Sequence, residues 1–149
     1  MTQGLDLVCC RIVCTRYSII MYPVGQPFPA THLPSSKGGT VNLQEMFVLG
    51  STVVGVIPHA DREQWIESAS LQVDYWLLEE YVNVYFIIDA SKEEAQRLCE
   101  RYGILAPFLL DDEGRLYPDG EGFYRIDAEG VIEAAVGHDD GPHHLERLF

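Results

Sequence analysis

Two short runs of apolar, mostly β-branched residues, Val53–Ile57 and Val82–Ile88, stand either side of one long stretch with helical periodicity. Runs of that length without polar alternation suit strands covered on both faces, and two such strands joined by a helix form a parallel pair. Between them, Asp61 and Gln64 make a capping-box pattern at the start of the helix. Trp65, Ile66, Ala69, Val73, Trp76 and Leu77 then recur at spacings that keep one stripe toward a core. A second helix is expected over Ser91–Tyr102. Ser91 and Glu94 form its capping box, Ala95, Leu98, Cys99 and Tyr102 its inward stripe, and Gly103 its C-terminal stop.

The rest of the chain completes a mixed sheet. Val24–Pro34 is proline-rich and reads as an extended entry, Pro34–Gly39 as a turn, and Thr40–Leu43 as a short strand or loop. Phe108–Leu110 is a further apolar segment, followed by a turn at Asp111–Gly114. Gly122–Ile126 and Val131–Val136 flank Asp127–Gly130 as a β-hairpin, and Pro142 opens a short terminal helix at His143–Phe149. Strand, helix, strand, helix, hairpin and helix in that order describe an α/β domain, thioredoxin-like, with a central mixed sheet flanked by helices. A chain of 149 residues suits one such domain, placed at 24–149, with 1–23 as an N-terminal extension.

Composition narrows the partners. The formal net charge of -13 opposes nucleic-acid binding, which needs a basic face, and opposes attraction to anionic membranes. The four cysteines, Cys9, Cys10, Cys14 and Cys99, make a poor disulfide framework and lack companions at zinc-ligand spacing, so a reducing cytoplasm is expected. Glycine-rich phosphate loops and haem signatures are absent, and no cofactor is expected. The apolar run Leu5–Ile20 is interrupted by Arg11 and Arg16 and is too short to span a bilayer. It lacks the features of a secretory signal. Leu7–Cys14 reads either as an added edge strand or, if the natural start is Met21 rather than Met1, as part of a translated leader.

Four stretches, "VGQPFPATHL", "GGTVNLQE", "VNVYFIIDASKEEAQRLCERYGILAPFLLDDEG" and "YRIDAEGVI", resemble in order and spacing the alkyl hydroperoxide reductase C / thiol-specific antioxidant family of peroxiredoxins and redoxins. The resemblance covers most of Val24–Val136. It implies a thiol peroxidase with a loop of pattern P-x-x-x-T-x-x-C after the strand Val53–Ile57. Here that loop runs from Pro58 to Trp65: proline is kept, Arg62 stands for threonine and Trp65 for the peroxidatic cysteine. The family's chemistry is thiolate attack on a peroxide, with the thiolate stabilised at a helix N-terminus. An indole cannot attack. The arginine the family places six residues before the hairpin aspartate falls, counted back from Asp127, on Glu121; Arg125 lies on the same strand face two pleats further on.

The expected function is therefore a peroxiredoxin-family protein without the peroxidatic cysteine, acting as a binding or interaction protein, alone as a homodimer or with a related thiol protein. The alternative is a thiol-dependent antioxidant oxidoreductase that uses Cys99 or one of Cys9, Cys10 and Cys14. Cys99, on an apolar stripe, reads first as a core thiol and second as a displaced redox thiol. Arg62 and Trp65 read as a repacked pocket or, alternatively, as an anion site at the helix start. His138–His144 reads as a solvated turn or, less simply, a metal-capable one, and no metal is expected.

Overall fold

The computed structural model describes residues 21–117 and 119–149. Residues 1–20, with the expected edge strand at Leu7–Cys14 and the thiols of Cys9, Cys10 and Cys14, lie outside the described residues.

The chain enters through a two-stranded antiparallel hairpin, β1 (His32–Pro34) with β2 (Thr40–Asn42), followed by a short helix α1 (Leu43–Phe47). The sheet and its crossovers follow: β3 (Thr52–Val56), α2 (Arg62–Leu78), β4 (Asn83–Ile88), α3 (Lys92–Tyr102), β5 (Phe108–Leu110), β6 (Gly122–Ile126) and β7 (Ile132–Gly137), then a 3-10 helix at Pro142–Leu148. Five strands form one mixed sheet in the order β5-β4-β3-β6-β7. β4 runs parallel to β3 and β5, whereas β6 is antiparallel to β3 and β7. This is the expected α/β architecture.

The uninterrupted apolar character of β3 follows from its central place. Val53, with Ile57 just past the strand end, faces the layer made by α2, α3 and the 3-10 helix. Val54 and Val56 face the opposite layer, where Phe28, Leu33, Leu43 and Phe47 pack. All five β3 residues are buried. In α2 the side chains of Trp65, Ile66, Ala69, Val73 and Trp76 are buried as the periodicity requires, and each large one stabilises the fold by about 2–3 kcal/mol on transfer out of water. Leu77, expected on that stripe, is instead 37% exposed. It stands one residue from the end of α2, at a surface hollow it shares with Val84, Tyr85 and Pro107.

One other local expectation is corrected, and two short elements take a form the sequence left open. Asp61 does not cap α2 through its side chain: it sits in the left-handed region at φ 57 and makes no side-chain cap bond. Only its carbonyl serves the helix, accepting from the Trp65 amide at 3.1 Å. The tight turn out of β3 fixes this backbone, and a left-handed residue aims its carboxylate away from the first turn. The stretch after Thr40–Asn42 forms α1, too short to show helical periodicity. It is started by the Asn42 side chain, which accepts from the Gln44 amide at 3.0 Å, and held by buried Leu43 and Phe47. The terminal helix is 3-10, with Leu145 and Leu148 buried three residues apart, which matches three residues per turn.

By contrast, α3 starts and stops as its sequence indicates. Ser91 accepts from the Glu94 amide at 3.1 Å, and Gly103 closes the helix at φ 64, where glycine carries no Cβ penalty. The Glu94 carboxylate, however, does not complete the capping box; it is drawn to Arg62.

Candidate functional site

The carboxyl ends of the parallel strands β3 and β4 open at one end of the sheet, the usual place for sites in α/β folds. The loop from Pro58 to the start of α2 lies there. Pro58 is buried directly after the strand. The Ile57 amide donates to the Ile87 carbonyl at 2.9 Å, holding the loop's root to β4. The Tyr117 hydroxyl points its single proton between the Ile57 and Ile87 carbonyls, at 2.6 and 2.9 Å. Burial, together with the Glu121, Asp111 and Asp89 carboxylates, pushes that phenol far above its ordinary value, so it is a fixed donor. Replacing Tyr117 by phenylalanine leaves the Ile57 carbonyl without this donor. The expected loss is about 1–2 kcal/mol of stability, read by urea denaturation.

His59 connects three segments of the site. Its amide donates to the Glu121 carboxylate at 3.3 Å, and its ring Nε2 lies 3.2 Å from Asp89 Oδ2. The ring also packs against Tyr117, with centroids 5.0 Å apart. Neither His59 nor Asp89 stood out in the sequence, because their pairing joins the end of β3 to the end of β4 across α2. Glu121 did stand out, as the residue found where the resemblance calls for arginine, and it does reach the loop. The site therefore receives a carboxylate where that resemblance calls for a cation.

Arg62 reaches from the loop toward the end of β4 and the head of α3. Its guanidinium donates to the Asp89 carbonyl at 3.4 Å and to the Glu94 carboxylate at the head of α3. The carboxylates of Asp89, Glu94 and Glu121 lie near the start of α2 and set negative charge against its dipole, with the Arg62 guanidinium paired to Glu94. One residue further on, Glu63 accepts from Arg101 at 2.5 Å and from Tyr102 at 2.7 Å. The tyrosine hydrogen bond first, and the arginine second, hold its carboxyl below the ordinary range. Together these contacts tie the first turn of α2 to α3.

Trp65 occupies the first turn of α2 and faces the core. It is 2% exposed and stacks on Phe123 with centroids 5.7 Å apart and planes 12° apart. Phe123 in turn meets Trp76 and Phe86. The indole is thus one plate of an aromatic cluster, not a side chain lining an open cleft.

Cys99 lies in the last turns of α3, half-buried against the core layer that α2 shares. Burial pushes its thiol above the ordinary value; Lys37 opposes this and Glu100 adds to it. A thiol so placed is mostly protonated at neutral pH and is a poor nucleophile. Arg125, the one arginine of the hairpin, pairs in register with Val53, whereas Gly122 pairs with Val56 at the loop end. It therefore stands at the far end of β3, beside Glu133 at 3.7 Å and over the Phe149 ring at 5.1 Å. In the His138–His144 turn, Asp140 accepts from the Gly137 amide at 2.8 Å and pairs with Arg147 at 3.2 Å, so its carboxylate is engaged in structure. Among the described residues no group of three or more histidine, cysteine, aspartate or glutamate side chains is arranged to hold a metal ion. Among them, too, no helix is long and apolar enough to cross a membrane.

No protein-family model matches the chain, and no curated protein matches it in sequence. Solved structures do match in shape. The peroxidoxin BcpB of Mycobacterium tuberculosis superposes with a TM-score of 0.70 at 15% identity, over 84% of this chain and 92% of its own. A putative protein disulfide isomerase of Bacteroides thetaiotaomicron gives 0.65 at 17% identity, over 77% and 79%. The thiol peroxidase of Chromobacterium violaceum gives 0.58 at 13% identity, over 78% and 76%. With its sheet order, its crossover helices and these likenesses taken together, the chain has the thioredoxin-like fold that peroxiredoxins and thiol-disulfide oxidoreductases share.

Proposed function

We propose that this chain is a peroxiredoxin-family protein whose loop from Pro58 through Arg62 to Trp65 is the remnant of a peroxidatic site, and that it acts by binding rather than by reducing peroxides. One observation carries the reading: Trp65 is buried at the place where the resemblance puts the attacking thiol. Two further observations support it. Glu121 brings negative charge to the loop, which disfavours a thiolate there, and the Arg62 guanidinium is paired with Glu94. Cys99 is half-buried with a raised pKa, which argues against its serving as a substitute nucleophile. The domain proper is taken to begin near residue 24, with residues 1–23 as an extension. The working location is the cytoplasm, and the partner is a second copy or a related thiol protein.

The test is hydrogen peroxide consumption in the presence of a thiol reductant. The natural chain, Cys99→Ser, and the triple variant Cys9→Ser/Cys10→Ser/Cys14→Ser are compared with free cysteine. All three proteins are expected to consume peroxide no faster than free cysteine does per thiol. A fast rate in the natural chain that disappears in either variant would establish the thiol-dependent antioxidant instead, and would say which thiol serves it.

A further inference from the structure

Helix α2 is apolar on two sides. Its core stripe is buried, yet Leu71 is 78% exposed, Tyr75 50% and Leu78 67%. These three follow one another at spacings of four and three residues, which aligns them in a row, and that row lies about 200° around the helix from the buried one. An exposed leucine by itself needs no explanation, but an aligned row of three large apolar side chains on one helix does. Beside the row, Tyr75, Trp76 and Phe149 wall a groove of about 290 Å³ between α2 and the chain's end, with Glu80 and Glu146 at its rim.

Charge decides what fits there. From residue 64 to residue 80 the chain carries Glu67, Asp74, Glu79 and Glu80 and no lysine or arginine. A second copy laid face to face on this surface would set carboxylates against carboxylates, in a chain that already carries a formal charge of -13. A cationic partner meets no such cost. We propose that the outer face of α2, with the groove beside it, docks a basic amphipathic helix of another protein. The partner's apolar residues lie along Leu71, Tyr75 and Leu78. One lysine or arginine lays its stem against Tyr75 and Phe149 and brings its charge to Glu80 and Glu146. The surface is separate from the loop that starts at Pro58, so its test stands or falls independently of the peroxidase measurement.

The probe is a fluorescently labelled amphipathic peptide of leucine and lysine, about fourteen residues long so that it covers the row of about 10 Å with about a turn to spare at each end, titrated into the full chain and followed by anisotropy. A leucine and glutamate peptide of the same pattern is the control and is expected not to bind. Because the row is exposed, Leu71→Ser/Tyr75→Ser/Leu78→Ser should fold normally. It is expected to weaken binding of the lysine peptide by about tenfold or more, as loss of central apolar anchors does. Glu80→Gln/Glu146→Gln is expected to weaken it and to flatten its salt dependence, whereas Asp112→Asn/Glu129→Gln, which removes as many charges elsewhere, leaves it within about twofold. Equal binding by the natural chain and the triple serine variant would reduce the effect to general charge attraction and overturn the proposal. So would sedimentation showing a natural dimer that the same variant makes monomeric, since the occupant would then be a second copy.

Discussion

Trp65→Ala is expected to lower the stability of the chain by about 3–5 kcal/mol, the range for removing a large buried aromatic side chain. The residue is almost fully enclosed and lies parallel to Phe123. Deleting it removes the stacking partner of Phe123, opens a cavity beneath the first turn of α2, and loosens the contact of that turn with β6. Neighbours cannot refill the space easily. Ile66 and Ala69 are fixed on the same helix, and Phe123 is held by Trp76 and Phe86 on its other sides. Chemical denaturation of the natural chain and the variant measures the loss through the transition midpoint. A loss below about 1 kcal/mol would mean that the indole only covers the surface, contrary to the packing described above.

The second large effect is expected at Gly55. It is the fourth of the five residues of β3 and lies opposite Phe123 on β6. A Cβ built there would stand 2.4 Å from the Phe123 ring, with three ring atoms inside 3 Å. The ring is buried within the aromatic cluster and has nowhere to move without displacing Trp65 or Trp76. Gly55→Ala is therefore expected to cost about 1–3 kcal/mol through overpacking, and Gly55→Val more. If the clash with Phe123 is the cause, Phe123→Leu should cost less in the Gly55→Ala background than in the natural chain. A double-mutant cycle measures that difference, and additive losses would place the strain elsewhere.

Both effects converge on Phe123, which periodicity alone does not single out. What the sequence made legible is local. Ser91 and Gly103 bound α3 because a serine oxygen and a left-handed glycine satisfy helix ends whatever surrounds them. The two apolar runs became β3 and β4 because only strands with both faces covered dispense with polar residues. The stripe from Trp65 to Trp76 was readable for the same reason, except at Leu77, where an apolar residue points outward. Asp61 was not readable, since its left-handed backbone is set by the exit from β3 and not by its own side chain.

The site divides in the same way. Counting back from Asp127 reached Glu121, and Glu121 does contact the loop, because β6 pairs with β3 in unbroken register from Ile126 to Gly122 and residue counts along it translate into distance. Arg125, four residues further along that strand, is correspondingly carried away from the loop. The linkage of His59 with Asp89, and the lock that Tyr117 places on Ile57 and Ile87, join segments about thirty or sixty residues apart, so no local pattern could announce them. They become visible only once β3 and β4 are side by side.

If the loop from Pro58 to Trp65 is a peroxidatic loop that has lost its attacking atom, restoring that atom and its surroundings should restore chemistry. The decisive measurement is peroxide consumption by Trp65→Cys/Arg62→Thr/Glu121→Arg, with folding checked by circular dichroism. Cysteine supplies the sulfur, threonine the hydroxyl, and arginine the cation that favours the thiolate. Partial peroxidase activity, clearly above that of the natural chain, is the expected result. A variant that folds yet consumes peroxide no faster than the natural chain would contradict the assignment of Trp65 to the place of the lost thiol.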